Sequence, residues 1–211
     1  MLGLLSLVIA YVLGAIPFGY LLVKFTRGED VREFGSGNIG ATNVLRTTGR
    51  AAAIATLALD IAKGFLAVWL AAKLTDNSPW WTSLAALAVM AGHAFPVFLK
   101  FKGGKAVASF IGAFLCLTPL PLIVVLLVFL ITVAATRFIS AGSILAAAAF
   151  PFGVWMILHP PAPVLLAAFV AGAFVVYRHR ANWERLRAGT ENVFSWTAES
   201  AHGSHMRGRR R

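Results

Sequence analysis

The sequence predicts an all-α protein built as a polytopic transmembrane bundle. Three observations carry that prediction. Hydrophobic residues make up 59% of the 211 residues and charged residues only 13%, too little polar surface for a water-soluble domain of this size. The apolar residues gather in long runs of the length a bilayer requires. The basic residues sit in the short segments between those runs and in the tail, the placement that orients membrane helices. The net charge of +11 therefore points to a bilayer and not to nucleic acid.

The first run, about residues 2–25, has no basic residue ahead of it and is expected to be a retained span, not a signal peptide. Pro17, between Gly14 and Gly19, is expected to kink it. A polar segment, residues 26–50, follows. The second span, about residues 51–74, carries Asp60 and Lys63. Asp76-Asn77-Ser78-Pro79 is a turn signal, and Trp80-Trp81 marks a membrane interface. The third span runs to about residue 99. The next run, residues 106–136, is long for one span and is interrupted by Thr118-Pro119-Leu120-Pro121. Its first piece would reach only about 20 Å as a helix, less than the hydrocarbon thickness. The last two spans are about residues 141–158 and 163–177, separated by His159-Pro160-Pro161.

Charge decides whether residues 106–136 count once or twice. Counted twice, they give seven spans, some of them short or kinked. One side then holds Lys24, Arg27, Arg32, Arg46, Arg50, Lys100, Lys102, Lys105, Arg137, Arg178, Arg180, Arg185 and Arg187, and the other only Lys73. Counted once, they put the arginine-rich tail outside. The expectation is seven spans, N-terminus outside and C-terminus cytoplasmic. Residues 1–192 form one integral-membrane domain, and residues 193–211 are an extension. Within it Gly203-Ser204-His205-Met206 has the character of a cloning scar. The single Cys116 lies in an apolar run, which excludes a disulfide framework and a multi-cysteine zinc site.

Three segments on the proposed cytoplasmic side share a chemistry. Gly35-Ser36-Gly37-Asn38-Ile39-Gly40-Ala41-Thr42-Asn43 places three glycines in six residues, flanked by Arg32, Arg46 and Arg50. Such a loop turns tightly, offers backbone N–H and short side-chain donors, and suits a phosphate. A polar turn between membrane helices is the alternative on that loop alone. Residues 93–105 repeat the character with Lys100, Lys102, Gly103, Gly104 and Lys105. The third segment, residues 177–192, adds His179, Asn182 and Glu191. Juxtamembrane charge that sets topology or holds anionic lipid accounts for the arginines, but not for the interleaved glycines and paired asparagines.

Together these segments resemble the three motifs of the bacterial acyl-phosphate:glycerol-3-phosphate acyltransferases. Residues 35–46, ending in Val44-Leu45-Arg46, resemble the first. Gly92-His93-Ala94-Phe95-Pro96-Val97-Phe98-Leu99-Lys100-Phe101-Lys102-Gly103-Gly104-Lys105 resembles the second. His179-Arg180-Ala181-Asn182-Trp183-Glu184-Arg185-Leu186, with Gly189 and Glu191-Asn192, resembles the third. Ala106 departs from the pattern, in which glycine is expected. The resemblance implies transfer of a fatty acyl group from acyl phosphate to the 1-hydroxyl of glycerol 3-phosphate, giving lysophosphatidate and phosphate. It implies no cofactor and an enzyme of the bacterial inner membrane whose active site faces the cytoplasm.

Both reactants are phosphate anions, so cations must offset their repulsion. Arg46, Lys105 and His179 are assigned that catalytic work. Ser36, Asn38, Thr42, Asn43, Asn182 and Glu191 are assigned to substrate binding, with Gly37, Gly40, Gly103 and Gly104 supplying the loop backbone. The base is either His179 or a phosphate oxygen of the substrate, the route the resemblance favours. Ser36 as a covalent nucleophile lacks an evident base. Glu191 orients the third motif or binds a hydroxyl. Asp60 and Lys63, three apart on one helix, are either functional intramembrane charges or a structural pair, the reading favoured here, and His93 is expected to pack or hydrogen bond. His179 and Glu184 show a His-x4-acid spacing that is taken as chance. No metal is expected, since Glu29, Asp30 and Glu33 are the only acidic cluster on that side. The rival functions are a transporter for an anionic solute, which should line a path across with polar groups, and a non-enzymatic membrane scaffold.

Overall fold

The computed structural model describes residues 1–195; the expected cloning scar lies outside them. The described residues contain ten α-helices and two short 3-10 turns, with no strand. They divide into two compact units, Met1–Ile16 with Asp60–Phe194, and Pro17–Leu59.

The helices are α1 (Leu2–Ala15), α2 (Phe18–Arg27), α3 (Ala41–Thr47), α4 (Arg50–Leu74), α5 (Pro79–Ala94), α6 (Val107–Leu117), α7 (Pro119–Thr136), α8 (Ile139–Leu158), α9 (Ala162–Arg178) and α10 (Arg180–Arg187). Their boundaries follow local chemistry. Pro17 lacks an N–H and leaves helical geometry, which separates α1 from α2. Thr118 is the shared cap of α6 and α7, and Pro119 opens α7 where its missing N–H has no helical partner to lose.

Five segments are long and apolar enough to cross a membrane: Leu2–Arg27, Arg50–Leu74, Pro79–Leu99, Pro119–Thr136 and Ile139–Leu158. A sixth arises only if α9 and α10 count together across a 53° bend. The sequence of α10 is RANWERLR, too polar for hydrocarbon, so the membrane portion of that pair ends with α9. The helices predicted from sequence are all present, but α6 has 11 residues. At 1.5 Å per residue it reaches about 16 Å, roughly half the hydrocarbon. Helix length therefore supports five or six spans where the charge pattern suggested seven.

In the first unit α5 packs against α1, α6 and α9, and α8 lies between α7 and α9. Small residues let backbones touch. A Cβ on Gly14 would run into the Val89 carbonyl, one on Gly64 into the Ser109 carbonyl, and one on Gly112 into the Ile61 carbonyl. Phe110, Phe114 and Phe150 fill the space between α6 and α8 with ring centroids 4.7–4.9 Å apart. Leu127, Leu130 and Ile131 of α7 stay exposed, as lipid-facing side chains do.

The second unit packs α2 and α3 around a 3-10 turn, Val31–Glu33, with Val31, Ile39 and Val44 buried. Gly19 of α2 lets the Ile39 carbonyl approach its backbone. Asp30 accepts hydrogen bonds from the Arg32 backbone N–H, Nε and Nη2, and Arg32 also lies over the Tyr20 ring. Those hydrogen bonds from Arg32 hold the Asp30 carboxyl below the usual carboxylate range.

Candidate active site

In the first unit the second and third motifs meet. Lys105 Nζ donates to Asn182 Oδ1 at 2.5 Å. Because an ammonium only donates, the Asn182 amide must present its oxygen there and its Nδ2 to the other side. Nδ2 donates to Glu191 Oε1 at 2.8 Å, and Ser140 Oγ donates to the same oxygen at 3.1 Å. Arg185 Nε donates to Glu191 Oε2 at 2.8 Å. Both Glu191 oxygens are thus held by donors of α8 and α10, and its side chain is 4% exposed. Of the two roles open to Glu191 from sequence, this geometry fits the orienting one.

His179 caps α9 just beyond its last turn and is 3% exposed. Its Nδ1 lies 2.8 Å from the Val175 carbonyl. A carbonyl only accepts, so Nδ1 carries the proton and a neutral ring keeps its lone pair on Nε2. Burial, followed by the nearby Lys105 charge, pushes the His179 pKa down to about 4. The ring is neutral at physiological pH, the state a proton acceptor requires. Its anchor is Val175 and not the exposed Glu184, consistent with the His-x4-acid spacing being chance.

The Gly103-Gly104 turn is built against α5. Gly103 N–H bonds to the Ala94 carbonyl at 3.2 Å and Gly104 N–H to the His93 carbonyl at 3.1 Å. These two N–H groups are spent inside the protein, contrary to the expectation that they face a ligand. The glycines are needed for room: a Cβ on Gly103 would meet the His93 carbonyl and Pro96, and one on Gly104 the His93 ring. Arg178 Nη2 donates to the Gly104 carbonyl at 2.8 Å while its guanidinium covers Phe95. Ala106, which departs from the expected glycine, sits at φ 63°. That left-handed conformation explains why glycine belongs there, since any Cβ, including that of alanine, is strained in it.

The first motif forms a self-contained loop in the second unit. Asn43 is its hub and is 1% exposed. Its Oδ1 accepts from the Ser36 N–H at 2.8 Å, and its Nδ2 is shared among the carbonyls of Val31, Phe34 and Asn38 at 2.8–3.1 Å. Asn38 Oδ1 in turn accepts from the Gly40 N–H at 2.9 Å. Gly35 and Gly37 have φ of 58° and 69°, and a Cβ on Gly35 would strike Asn43 Oδ1. The N–H groups of Ser36, Gly37 and Gly40 are engaged within the loop, so here too the backbone donors expected at a ligand serve the fold. Ser36 is exposed, while Asn38, Thr42 and Arg46 are half-buried.

Sequence reasoning found Asp60 and Lys63 as a pair but not what surrounds them. Lys63 Nζ is 2.8 Å from Asp60 Oδ1 and donates to the Ile16 carbonyl at 2.7 Å. His93 Nδ1 lies 3.6 Å from the same Asp60 oxygen. No group of three or more His, Cys, Asp or Glu suited to a metal exists among the described residues.

The family model described as "Glycerol-3-phosphate acyltransferase" matches residues 4–189. A glycerol-3-phosphate acyltransferase of Trichlorobacter lovleyi is 49% identical over 194 residues, covering 91% of this chain and 97% of the relative. One of Desulforamulus reducens is 47% identical over 183 residues, covering 86% and 90%. Among solved structures, PlsY, an integral membrane glycerol 3-phosphate acyltransferase, in its glycerol 3-phosphate form is similar with a TM-score of 0.87 and 37% identity. It covers 92% of this chain and 96% of that one. Its lysophosphatidic acid form is similar with a TM-score of 0.84 and 36% identity.

Proposed function

The chain belongs to the glycerol-3-phosphate acyltransferase family, and from that premise we propose that it moves a fatty acyl group from acyl phosphate to the 1-hydroxyl of glycerol 3-phosphate. The products are lysophosphatidate and inorganic phosphate, the first acylation of phospholipid synthesis. The observation that carries the proposal is the hydrogen-bonded line from Lys105 through Asn182 to Glu191 and Arg185, beside a neutral His179. It joins a cation, an amide and a proton acceptor drawn from two motifs far apart in sequence.

In this mechanism Lys105 and Arg46 bind phosphate oxygens and offset the repulsion between two anionic reactants. Ser36, Asn38 and Thr42 add side-chain donors, and Asn182, oriented by Glu191, adds one more. Asn43, Gly37, Gly40, Gly103 and Gly104 keep the two loops in shape. The N-terminal end of α6, directly after Lys105, contributes a positive dipole. Acyl phosphate is an activated anhydride, so positioning and a weak base suffice for the hydroxyl. Either His179 Nε2 or a phosphate oxygen of the substrate takes that proton. As the new ester C–O bond forms, the carbonyl–phosphate C–O bond breaks and phosphate leaves.

Residues 1–192 constitute the acting domain in this proposal. They sit in the bacterial inner membrane with the N-terminus outside, the C-terminus inside and the reaction at the cytoplasmic face. Topology with seven crossings is supported by the one-sided distribution of lysine and arginine, with α6 as a short fourth element covered by protein. Membership in an acyltransferase family favours this reading over a transporter or a scaffold.

The test is a donor comparison on the purified protein: acyl phosphate, acyl-CoA and acyl carrier protein, each with glycerol 3-phosphate. Lysophosphatidate released from acyl phosphate, and undiminished by a metal chelator, is expected. Turnover only with the thioester donors overturns the proposed donor, and solute uptake into vesicles without chemistry overturns the enzyme.

A further inference from the structure

The proposed mechanism leaves three buried ionisable side chains without a task. Asp60, Lys63 and His93 are 2%, 3% and 4% exposed. Buried charge in a membrane protein is costly to retain, and an apolar trio would pack the same space more cheaply. Their placement shows what they hold. Lys63 bridges α4 to the carbonyl of Ile16, which the break at Pro17 deprives of a helical donor. Asp60, anchored by Lys63, faces His93 Nδ1 on α5. The other edge of the imidazole meets the Gly103-Gly104 turn: Gly104 lies so close to His93 Nε2 that no Cβ fits between them. The His93 carbonyl accepts the Gly104 N–H. Lys105 is the next residue.

We propose that Asp60, Lys63 and His93 form a buried positioning network for the Gly103-Gly104-Lys105 turn. Asp60 fixes the rotation of the His93 ring, the ring is the wall against which Gly104 rests, and the turn thereby aims Lys105 at Asn182. The inference rests on the proposed function for its effect on turnover but not for its structural content. A carboxylate is suited to the task because its negative charge attracts an Nδ1–H turned toward it, even across the 3.6 Å that is too long for a hydrogen bond. Lys63 lets that carboxylate stay charged in an apolar bundle. Glycine at 104 is then explained by an imidazole and not by a ligand.

Two variants test it. His93→Leu keeps side-chain volume near the original and removes the ring nitrogens. D60N/K63Q removes both charges together, so neither is left buried alone, and Gln can still donate to Ile16. For each, amide exchange at residues 103–105 and steady-state kinetics are measured, with thermal unfolding as the control. The expected result is exchange at Gly104 faster by about tenfold or more, with a thermal midpoint in D60N/K63Q close to the wild-type value. With it kcat/KM for glycerol 3-phosphate falls roughly 10²-fold, mainly through KM, as a displaced binding group requires. If His93→Leu does not fold, D60N/K63Q decides alone. Wild-type exchange at Gly104 and wild-type KM in a folded D60N/K63Q overturn the inference. If the wild-type protein turns over no acyl phosphate, the proposed function falls, while the exchange result still decides the network.

Discussion

Replacing Asn43 separates a residue that shapes a loop from one that touches a ligand. Its amide oxygen accepts one hydrogen bond, and its two amide hydrogens are distributed over three carbonyls. At most three bonds are therefore lost in Asn43→Ala. At about 1 kcal/mol net for each, the loop loses about 3 kcal/mol against its open form. That corresponds to roughly 10²-fold in the local opening equilibrium, without unfolding the bundle. Asn43→Asp should be at least as damaging despite its matched shape. It keeps an acceptor for the Ser36 N–H but turns a charged oxygen toward three carbonyls. Amide exchange across residues 31–43 reads the opening, and turnover reads the consequence. Wild-type exchange and turnover in Asn43→Ala, or a harmless Asn43→Asp, would refute the hub assignment.

Other outcomes follow from the remaining geometry. Arg46→Ala and Lys105→Ala should each lower kcat/KM by roughly 10²- to 10³-fold in protein whose thermal midpoint is retained, as measured by lysophosphatidate release. Glu191→Ala should release Asn182 and Arg185 together, and it should depress turnover even though its oxygens are turned to protein donors. The folded-state pKa of His179, about 4, lies below its usual value near 6.5. Stability from this group is therefore full above about pH 6.5 and declines as pH falls toward 4, because the unfolded chain takes up a proton that the folded one refuses. Unfolding measured against pH should show that acid-side slope in the wild type and a smaller one in His179→Gln, and the turnover profile should show no His179 inflection near pH 6.5. Gly112→Ala places a methyl against the Ile61 carbonyl and should lower stability by about 1–3 kcal/mol, read as a lower thermal midpoint.

Much of the helical order was legible in the sequence because prolines and polar turns mark it. Pro17 divides the first run and Thr118-Pro119 the fourth, both at the expected places. The contact between Lys105 and Asn182 joins residues 77 positions apart, and no local rule of the sequence gives it. The Asp60–Lys63 pair was visible as neighbours on one helix face, whereas His93 as their third member depends on how α4 and α5 pack. Asn43 shows the opposite limit. An asparagine in a glycine-rich loop can bind a ligand or its own backbone with the same atoms, and only the folded loop tells which. The direction of the backbone N–H groups is hidden for the same reason: glycine announces tight geometry but not where its donor points.

The shortness of α6 has a consequence for where chemistry meets lipid. A helix covering roughly half the hydrocarbon cannot have both ends at membrane surfaces. If Thr118 and the start of α7 reach one leaflet's boundary, the Gly104-Lys105 end lies recessed beneath the other. Under the proposed topology and function, a soluble phosphate compound descends into the bilayer to reach that lysine, while an acyl tail need never leave it.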